Sequence, residues 1–510
     1  MNKFELMKQT KDGLDVIAEI PRFATEGFES ISADDIERLK WGGIFHRKPT
    51  TGYFMMRIRF PSGIATTAQI RTLADIVDVH GRGIADITTR QQIEPRWLRI
   101  EEMPQILETL AGAGLTSLQT GMDNIRGVVG CSLAGLYPRE IIDASGICAE
   151  FQDLFVGDKA YTNLPRKFNV IITGCPDNCT DAGTQDVALV PAVQDVKGEE
   201  VVGFNVLVAG KQGSGGFVAA QPLDVFVPPA QAAAICRELV LIFRDFGPRQ
   251  ARARARFAFL VEERGLEWLR ATTESRIGHE LLPAGRDARS LRHVDHVGVT
   301  PQRQAGMNAV GLLVPVGRAT SAQLREAARL ADAYGSGEIR LTPNQNIVLP
   351  HIPDDRLAAL LDEPLVQEWS PNPSSVLRGL VSCTGAEFCN LALIETKARA
   401  LEIGRQLERS LALDRPLSIR WSGCPAACSN HLTADIGLQG KRIRLEDGSI
   451  VDAVAIFTGG RSGPGARGGQ LLMDDVPCDE RLPELLASIA LGEGPPARLE
   501  SSRELAVVGA

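Results

Sequence analysis

Four cysteines near the C-terminal end of the chain have the spacing of ligands for an inorganic centre. Five residues separate Cys383 from Cys389, and three separate Cys424 from Cys428. Each pair follows an apolar segment and lies in a turn rich in small residues, where backbone N–H groups can face cluster sulfides. Four thiolates from two turns favour a cubane iron–sulfur cluster. Structural zinc remains the alternative, although its paired ligands are usually two to four residues apart.

An internal repeat gives the elements that position these residues. Residues 63–93 match residues 317–347 at a constant offset of 254. Each copy predicts an apolar strand before a Gly turn, then an amphipathic helix that begins near Thr67 or Ser321. The segments ITTRQQI and LTPNQNI then predict a second strand. The chain is therefore a duplicated unit, in which an α/β module precedes a larger module with cysteines.

The N-terminal copy repeats the cysteine pattern incompletely. It keeps three of the four positions, as Cys131, Cys175 and Cys179, and has Tyr137 at the fourth. Three thiolates and a phenol make a poor cubane site, so we expect this copy to have lost its cluster. No motif pairs the remaining cysteines, which are interpreted as core or surface thiols.

Positive charge is concentrated in the copy without a cluster. Arg90 lies in TTRQ, Arg126 in NIRGVVG, and Arg166 with Lys167 in NLPRKFNV, whereas the second copy has an asparagine in place of Arg90. Alternation along an ITTRQ strand points Arg90 away from its neighbours, and Lys167 shares a strand face with Asn169. Each residue alone is typical of a surface charge. Together they predict a pocket for a small anion and an anionic cofactor.

Composition limits the class of protein. The chain has 510 residues, a net charge of −8, 44% apolar and 23% charged residues, which are ordinary values for a globular protein. They exclude a disordered chain and a small disulfide scaffold, and mild acidity gives no reason to expect a nucleic-acid partner. Neither a signal peptide nor an apolar run of about 18 residues is visible. We expect a cytoplasmic, reducing location.

At roughly 150 residues per domain, the length indicates about three or four domains. The repeat predicts an arm at residues 1–50, a first α/β half-repeat at 51–120 and a second at 296–370. Larger modules are predicted at 121–295, with the degenerate cluster site, and at 371–510, with the complete one.

These segments resemble the siroheme-dependent nitrite and sulfite reductase family over nearly the whole chain. The most specific elements are SCTGAEFCNLALIETKARA and WSGCPAACSN, together with TTRQ, NLPRKF and LTPNQN. The resemblance implies a mixed α/β, α+β fold with pseudo-twofold symmetry, built from two ferredoxin-like half-repeats and two larger cofactor-binding domains. It also implies siroheme and a [4Fe–4S] cluster as cofactors.

The resemblance implies roles for three sets of residues. The cluster ligands are Cys383, Cys389, Cys424 and Cys428, and Cys428 also bridges to the siroheme iron. The substrate-facing residues are Arg90, Arg126, Lys167 and Asn169. The candidates for holding the siroheme rim are Gln92, Arg96, Asn344 and Asn346.

The expected reaction is the six-electron reduction of nitrite to ammonium, with electrons from external ferredoxin, since no flavin or nicotinamide module is visible. We expect a monomer. The arginine run within residues 249–264 is either a docking patch for acidic ferredoxin or, more simply, a solvated helix face.

Three alternatives remain open. Sulfite reductases of the family read PRKFK where this chain has PRKFN, and one cation fewer suits monoanionic nitrite. The segment CTDAGTQDVALVPA departs from the pattern of plant-type nitrite reductases, which leaves a sulfite reductase possible. An iron–sulfur electron carrier or redox sensor without siroheme needs no anion pocket. An oxygen-dependent corrin-pathway enzyme fits the length poorly.

Overall fold

The structure is a computed structural model that describes residues 2–213 and 215–493. The chain divides into two compact units. The first runs from the start of the described chain to Asn372 and includes Ser462–Arg467, and the second comprises Pro373–Arg461 and the described residues from Gly468 onward. Among the described residues, no helix has the length and apolar character needed to cross a membrane.

Both units contain helices and strands. The helices of the first unit are α1 Lys3–Thr10, α2 Ile20–Glu26, α3 Ala33–Arg38, α4 Thr67–His80, α5 Met103–Gly112, α6 Ser145–Asp153, α7 Ala232–Phe246, α8 Phe257–Arg264, α9 Leu266–Ile277, α10 Ser321–Tyr334, α11 Asp354–Leu361 and α12 Pro364–Glu368. Those of the second unit are α13 Ser375–Arg378, α14 Lys397–Ser410 and α15 Leu482–Leu491.

The strands follow the same division. Those of the first unit are β1 Ile44–His46, β2 Tyr53–Met56, β3 Ile64–Thr66, β4 Ile84–Ile87, β5 Ile93–Pro95, β6 Leu98–Arg99, β7 Ile125–Val129, β8 Phe168–Ile172, β9 Val187–Val196, β10 Glu199–Val208, β11 Gln221–Val227, β12 Leu282–Pro283, β13 Arg286–Asp287, β14 Gly298–Pro301, β15 Met307–Leu312, β16 Arg318–Thr320, β17 Glu338–Leu341 and β18 Ile347–Pro353. Those of the second unit are β19 Leu380–Ser382, β20 Ile419–Ser422, β21 Ile436–Arg444, β22 Ile450–Thr458 and β23 Gln470–Pro477.

The two ferredoxin-like halves of the first unit exchange strands. β3 pairs antiparallel with β17, and its counterpart β16 pairs antiparallel with β4. The two registers are equivalent, because Ala65 lies opposite Ile339 and Ala319 lies opposite Ala85. α4 and α10 pack on each other, and one apolar core spans both halves. The repeat found in the sequence is thus a pseudo-twofold pair within one core.

Polar contacts between α4 and α10 repeat this symmetry. Thr67 Oγ1 donates to Asp332 Oδ1 at 2.8 Å, and Ser321 Oγ donates to Asp78 Oδ1 at 3.1 Å. Both donors and both acceptors are related by the sequence offset of 254. Since each helix supplies one donor and one acceptor, the pairing fixes the mutual register of the helices.

The larger modules share a second topology. In the first unit β7, β8 and β9 are parallel neighbours, and β10 and β11 add antiparallel strands, with α6–α9 packed on the sheet. In the second unit β19, β20 and β21 are parallel and β22 and β23 antiparallel. The predicted internally duplicated α/β fold is therefore confirmed, while the residue boundaries of its five parts stay a prediction.

The arginine run of residues 249–264 serves the fold. Arg252 forms two hydrogen bonds of 2.8 and 2.9 Å with the buried carboxylate of Asp123, and Arg249 pairs with Glu5 of α1 at 2.7 Å. These ion pairs neutralise the arginines and tie the N-terminal segment to the unit. They argue against this run as a docking patch.

Candidate functional site

Four guanidinium groups converge in the first unit, where the turn after β4 meets β7 and the segment before β8. Burial lowers the pKa of Arg126 well below its ordinary value, and the positive charges of Arg57, Arg166 and Arg90 lower it further. Burial also lowers the pKa of Arg166 to about 10. The convergence of several buried positive charges is typical of an anion-binding pocket.

Arg90 lies in a turn and not in the strand that the sequence predicted. β4 ends at Ile87, and Gln91 has a left-handed φ of 54°, which ends the extended backbone before β5. The predicted strand alternation at Arg90 is therefore wrong. Its side chain crosses β7 at Gly127, where a Cβ would lie only 3.3 Å from Arg90 Cβ. The small residue lets the guanidinium reach β8.

Asn169 connects Arg90 to a buried ion pair. Arg90 Nε donates to Asn169 Oδ1 at 3.1 Å. The Asn169 side chain in turn donates from Nδ2 to Asp186 Oδ2 at 3.4 Å, and Arg256 Nη2 contacts both Asp186 oxygens at 2.8 and 2.9 Å. The carboxylate fixes the orientation of the amide, so that the amide oxygen faces the cationic group.

One backbone carbonyl positions the guanidinium of Arg126. Its Nε and Nη2 donate to Met122 O at 3.1 and 3.0 Å, while Gln92 Nε2 donates to Arg126 O at 2.9 Å. The Gln92 bond ties the turn after β4 to β7. Lys167, which is only 9% exposed, immediately precedes β8, the strand that carries Asn169. The structure thus places all four predicted substrate-facing residues on β7, on β8 or in the adjoining turn and segment.

Arg57 belongs to the cationic group and was missed by the sequence analysis. It pairs with Glu94 through a 2.7 Å contact and donates to Thr120 O at 3.0 Å. The comparison of the two copies contained a signal for it, because the counterpart of Arg57 is Gly311. The same comparison had singled out Arg90.

The predicted siroheme-rim residues differ in their surroundings. Arg96 is fully buried and paired with Asp86, which also binds Arg318 at 3.0 Å, and Asn346 Oδ1 accepts from Val314 N at 3.0 Å. These contacts stabilise the ferredoxin-like halves. Gln92 is buried beside Arg126, and Asn344 lies half-buried in the turn after β17.

The four C-terminal cysteines lie close to one another in the second unit. Burial raises the pKa of Cys383 to about 11, with further contributions from Cys428 and Cys389. Burial likewise raises the pKa of Cys424 to about 12, and the other three thiols add to the shift. Gly423 N donates to Cys383 Sγ at 3.2 Å. Four clustered cysteines whose thiolate charges would repel one another, with a backbone donor aimed at one sulfur, fit a [4Fe–4S] cluster, because its iron compensates the charge of the thiolates.

The three N-terminal cysteines form a second group, together with a residue that the sequence analysis missed. The ligand atoms of Cys131, Cys175, Cys179 and His296 all lie within 4.8 Å of one another, and all four residues are buried. Cys131 Sγ is 3.3 Å from His296 Nε2. No local sequence pattern connects His296 with the cysteines, because it lies far along the chain in the segment before β14.

Comparison with known proteins agrees with this architecture. The family model for the nitrite and sulphite reductase 4Fe–4S domain matches residues 121–281. The model for the nitrite/sulfite reductase ferredoxin-like half domain matches twice, at residues 46–113 and 300–366. The two half-domain matches include the exchanged strands and the paired helices α4 and α10.

Known proteins are also similar to this chain over nearly its whole length. The ferredoxin–nitrite reductase of Synechococcus elongatus is 44% identical, with 96% of each chain covered. The chloroplastic ferredoxin–nitrite reductase of Zea mays is 42% identical, over 92% of this chain and 84% of the relative. The solved structure of the Mycobacterium tuberculosis NirA protein matches with a TM-score of 0.89 and 30% identity, over 95% of this chain and 92% of that one. The chain belongs to the nitrite and sulfite reductase family.

Proposed function

We propose that the chain is a ferredoxin-dependent nitrite reductase that converts nitrite to ammonium. The reaction is NO₂⁻ + 8 H⁺ + 6 e⁻ → NH₄⁺ + 2 H₂O. The observation that carries the proposal is the convergence of Arg90, Arg126 and their cationic neighbours, with Arg90 hydrogen-bonded to the amide of Asn169. The names of the relatives from Synechococcus elongatus and Zea mays support both nitrite as substrate and reduced ferredoxin as donor.

The chain uses siroheme and a [4Fe–4S] cluster. Cys383, Cys389, Cys424 and Cys428 would hold the cluster, and Cys428, which is exposed, would also bind the siroheme iron. When bound, the cofactors would supply single-electron transfer and an iron that can bind nitrite. We propose that Gln92 and Asn344 hold siroheme carboxylates, whereas Arg96 and Asn346 make contacts within the ferredoxin-like halves.

The cationic side chains bind and orient the substrate. Arg90, Arg126 and Lys167 would neutralise the negative charge of nitrite and donate hydrogen bonds to its oxygens. Because negative charge grows on these oxygens as the N–O bonds break, the same donors stabilise the transition state more than the ground state. Lys167, whose side chain is buried, would donate protons to the oxygens as they leave the nitrogen.

Asn169 favours nitrite over sulfite. Its neutral amide adds a dipole to the pocket without a further positive charge, which suits a monoanion better than a dianion. Its contact with Asp186 fixes this dipole in one orientation. We therefore propose that the Arg90–Asn169–Asp186 chain sets the substrate preference.

The cysteine chemistry also supports a cytoplasmic location. All ten cysteines are free thiols, seven of which belong to the two clustered groups. Such groups persist in a reducing compartment.

Anaerobic purification followed by visible spectroscopy and metal analysis tests the cofactor assignment. We expect a Soret band with a far-red band, and about five iron atoms per chain, one in siroheme and four in the cluster. The Cys389→Ser variant should lose cluster iron, whereas Cys478→Ser, which changes a thiol outside both groups, should keep it. A colourless chain, or one with zinc bound at Cys389 in place of iron, would contradict the proposal.

A further inference from the structure

A buried group of thiols and imidazole in the first unit has the form of a closed site for one metal ion. We propose that Cys131, Cys175, Cys179 and His296 bind a single structural zinc ion. Their exposed fractions are 1%, 1%, 4% and 4%, so the site is sealed from water. Three sulfurs and one nitrogen form one of the usual donor sets for structural zinc.

The distances favour a single ion over a second iron–sulfur cluster. Four ligands around one zinc ion lie about 3.5–3.8 Å apart, as follows from tetrahedral geometry and bonds of about 2.0–2.3 Å. The observed ligand atoms all lie within 4.8 Å of one another, with 3.3 Å between Cys131 Sγ and His296 Nε2. In a cubane each thiolate binds a different iron and points outward, so its thiolates need wider separation than this group has.

The fourth ligand position has moved relative to the C-terminal copy. Tyr137 stands where that copy has Cys389, and its hydroxyl donates to Asp177 Oδ2 at 2.7 Å. Its ring packs edge-on against the ring of His296, with centroids 5.5 Å apart. The tyrosine therefore orients the histidine that completes the site. The loss of a cluster ligand and the gain of a histidine together convert a cluster site into a site for one ion.

The sequence spacing and the local backbone support this assignment. Three residues separate Cys175 from Cys179, within the range of paired zinc ligands. Leu133 N lies 3.4 Å from Cys131 Sγ, a backbone donor of the kind that supports zinc-bound thiolates.

The site joins three segments that lie near the reaction pocket. Cys131 follows β7, Cys175 and Cys179 follow β8, and His296 precedes β14. β7 and β8 carry Arg126 and Asn169, so a metal ion here would hold the carboxyl ends of the two strands that position the nitrite-binding side chains. The ion would position these side chains without binding substrate, because protein ligands fill all four of its coordination sites.

Metal analysis and zinc K-edge X-ray absorption of the purified holoenzyme test this proposal. We expect about one zinc per chain in addition to about five irons, with about three sulfurs at 2.3 Å and one nitrogen at 2.0 Å around it. Zinc below a tenth of an equivalent after growth with added zinc would overturn it. So would copper at the site, a doubled cluster iron content, or a disulfide among the three cysteines in a non-reducing peptide map.

Variants separate the site from the catalytic cluster. His296→Gln should lower the zinc content at least tenfold with cluster iron retained, and His296→Cys should restore one zinc with four sulfur neighbours. Cys236→Ser, a lone buried thiol, is the matched control and should keep the zinc. If His296→Gln does not fold, the absorption spectrum of the unmodified enzyme still decides the ligand set. Equal zinc in His296→Gln and the control would refute the assignment.

Discussion

Gln91 and Gln345 make the same hydrogen bond in opposite directions across the two ferredoxin-like halves. Gln91 Nε2 donates to Leu341 O at 2.9 Å, and Gln345 Nε2 donates to Ile87 O at 3.0 Å. Both glutamines are buried in turns with left-handed φ values of 54° and 67°. Gln91 directly follows Arg90 in the chain. The hydrogen bond that joins the two halves therefore also fixes the turn that carries Arg90 into the anion pocket.

Replacing either glutamine by methionine should destabilise the first unit. Gln91→Met removes Oε1, which accepts a hydrogen bond of 3.1 Å from Gly130 N in the unmodified protein. The loss should cost about 1–3 kcal/mol of unfolding free energy. Gln345→Met removes the donor to Ile87 O and should cost about 0.5–1.5 kcal/mol of unfolding free energy. Urea unfolding followed by circular dichroism measures both. Gln367→Met, at an exposed position, is the control, and equal midpoints for all four proteins would refute the structural role.

Asn169→Lys should shift selectivity toward sulfite. The new ammonium would lie beside Asp186, which can accept it, and would add positive charge next to Arg90. We expect the nitrite-to-sulfite ratio of kcat/KM to fall by about tenfold or more, since one added charge contact is worth at least about 1.4 kcal/mol. Asn169→Met, which removes the amide without adding charge, should weaken nitrite reduction but not favour sulfite. An unchanged ratio in the lysine variant would exclude Asn169 as the selector.

Arg126→Gln should lower kcat/KM for nitrite by about 10²–10³-fold, because one preorganised charged donor is lost. The siroheme and cluster absorption should be unchanged, since the side chain contacts Met122 O and lies outside the cysteine groups. Steady-state assay with a reduced mediator measures the loss. Arg254→Gln, which removes an exposed arginine paired with Glu262, provides the comparison. Equal losses in both variants would point to a general charge effect.

Cys428→Ser should abolish nitrite reduction and alter the bands of both cofactors, because one thiolate would serve cluster and siroheme. Cys478→Ser changes a half-buried thiol of the same unit, whose pKa burial raises to about 11, and should leave both bands and the activity intact. An active serine variant with the spectrum of the unmodified enzyme would show that Cys428 does not bridge the two centres.

Lowering the pH should destabilise the second unit through His431. Burial lowers the pKa of His431 to about 4, while the unfolded chain titrates near 6.5. Between these values only the unfolded state binds the proton, so the free energy of unfolding falls as the pH drops. From pH 7.5 to 5.5 the loss should be about 1.4 kcal/mol. Anaerobic urea unfolding at both pH values should show this loss reduced in His431→Gln; an identical pH dependence would contradict it.

The sequence predicted the local elements well where capping and periodicity act over short distances. α4 and α10 begin at the predicted Thr67 and Ser321, because the preceding threonines cap them and a glutamine three residues later completes each capping box. The strand predicted over ITTRQQI is interrupted, because the backbone turns at Gln91, whose side chain bonds to Leu341 O of the other half. That contact depends on the pairing of two distant segments.

The site was predictable only in part for the same reason. Duplication identified Arg90 and the cysteines, since each could be compared with its counterpart. His296 and the Asn169–Asp186 contact were not predictable, because they depend on segments that meet only in the folded chain. Arg57 could have been identified in the same way, because its counterpart in the second copy is the uncharged Gly311.

Nitrite reduction is tested most directly by the product and electron stoichiometry of anaerobic turnover with photoreduced ferredoxin, with nitrite and sulfite assayed side by side. We expect one ammonium formed and six electrons consumed per nitrite, with nitrite strongly preferred over sulfite. Release of nitric oxide, a smaller electron count, or faster reduction of sulfite than of nitrite would contradict it.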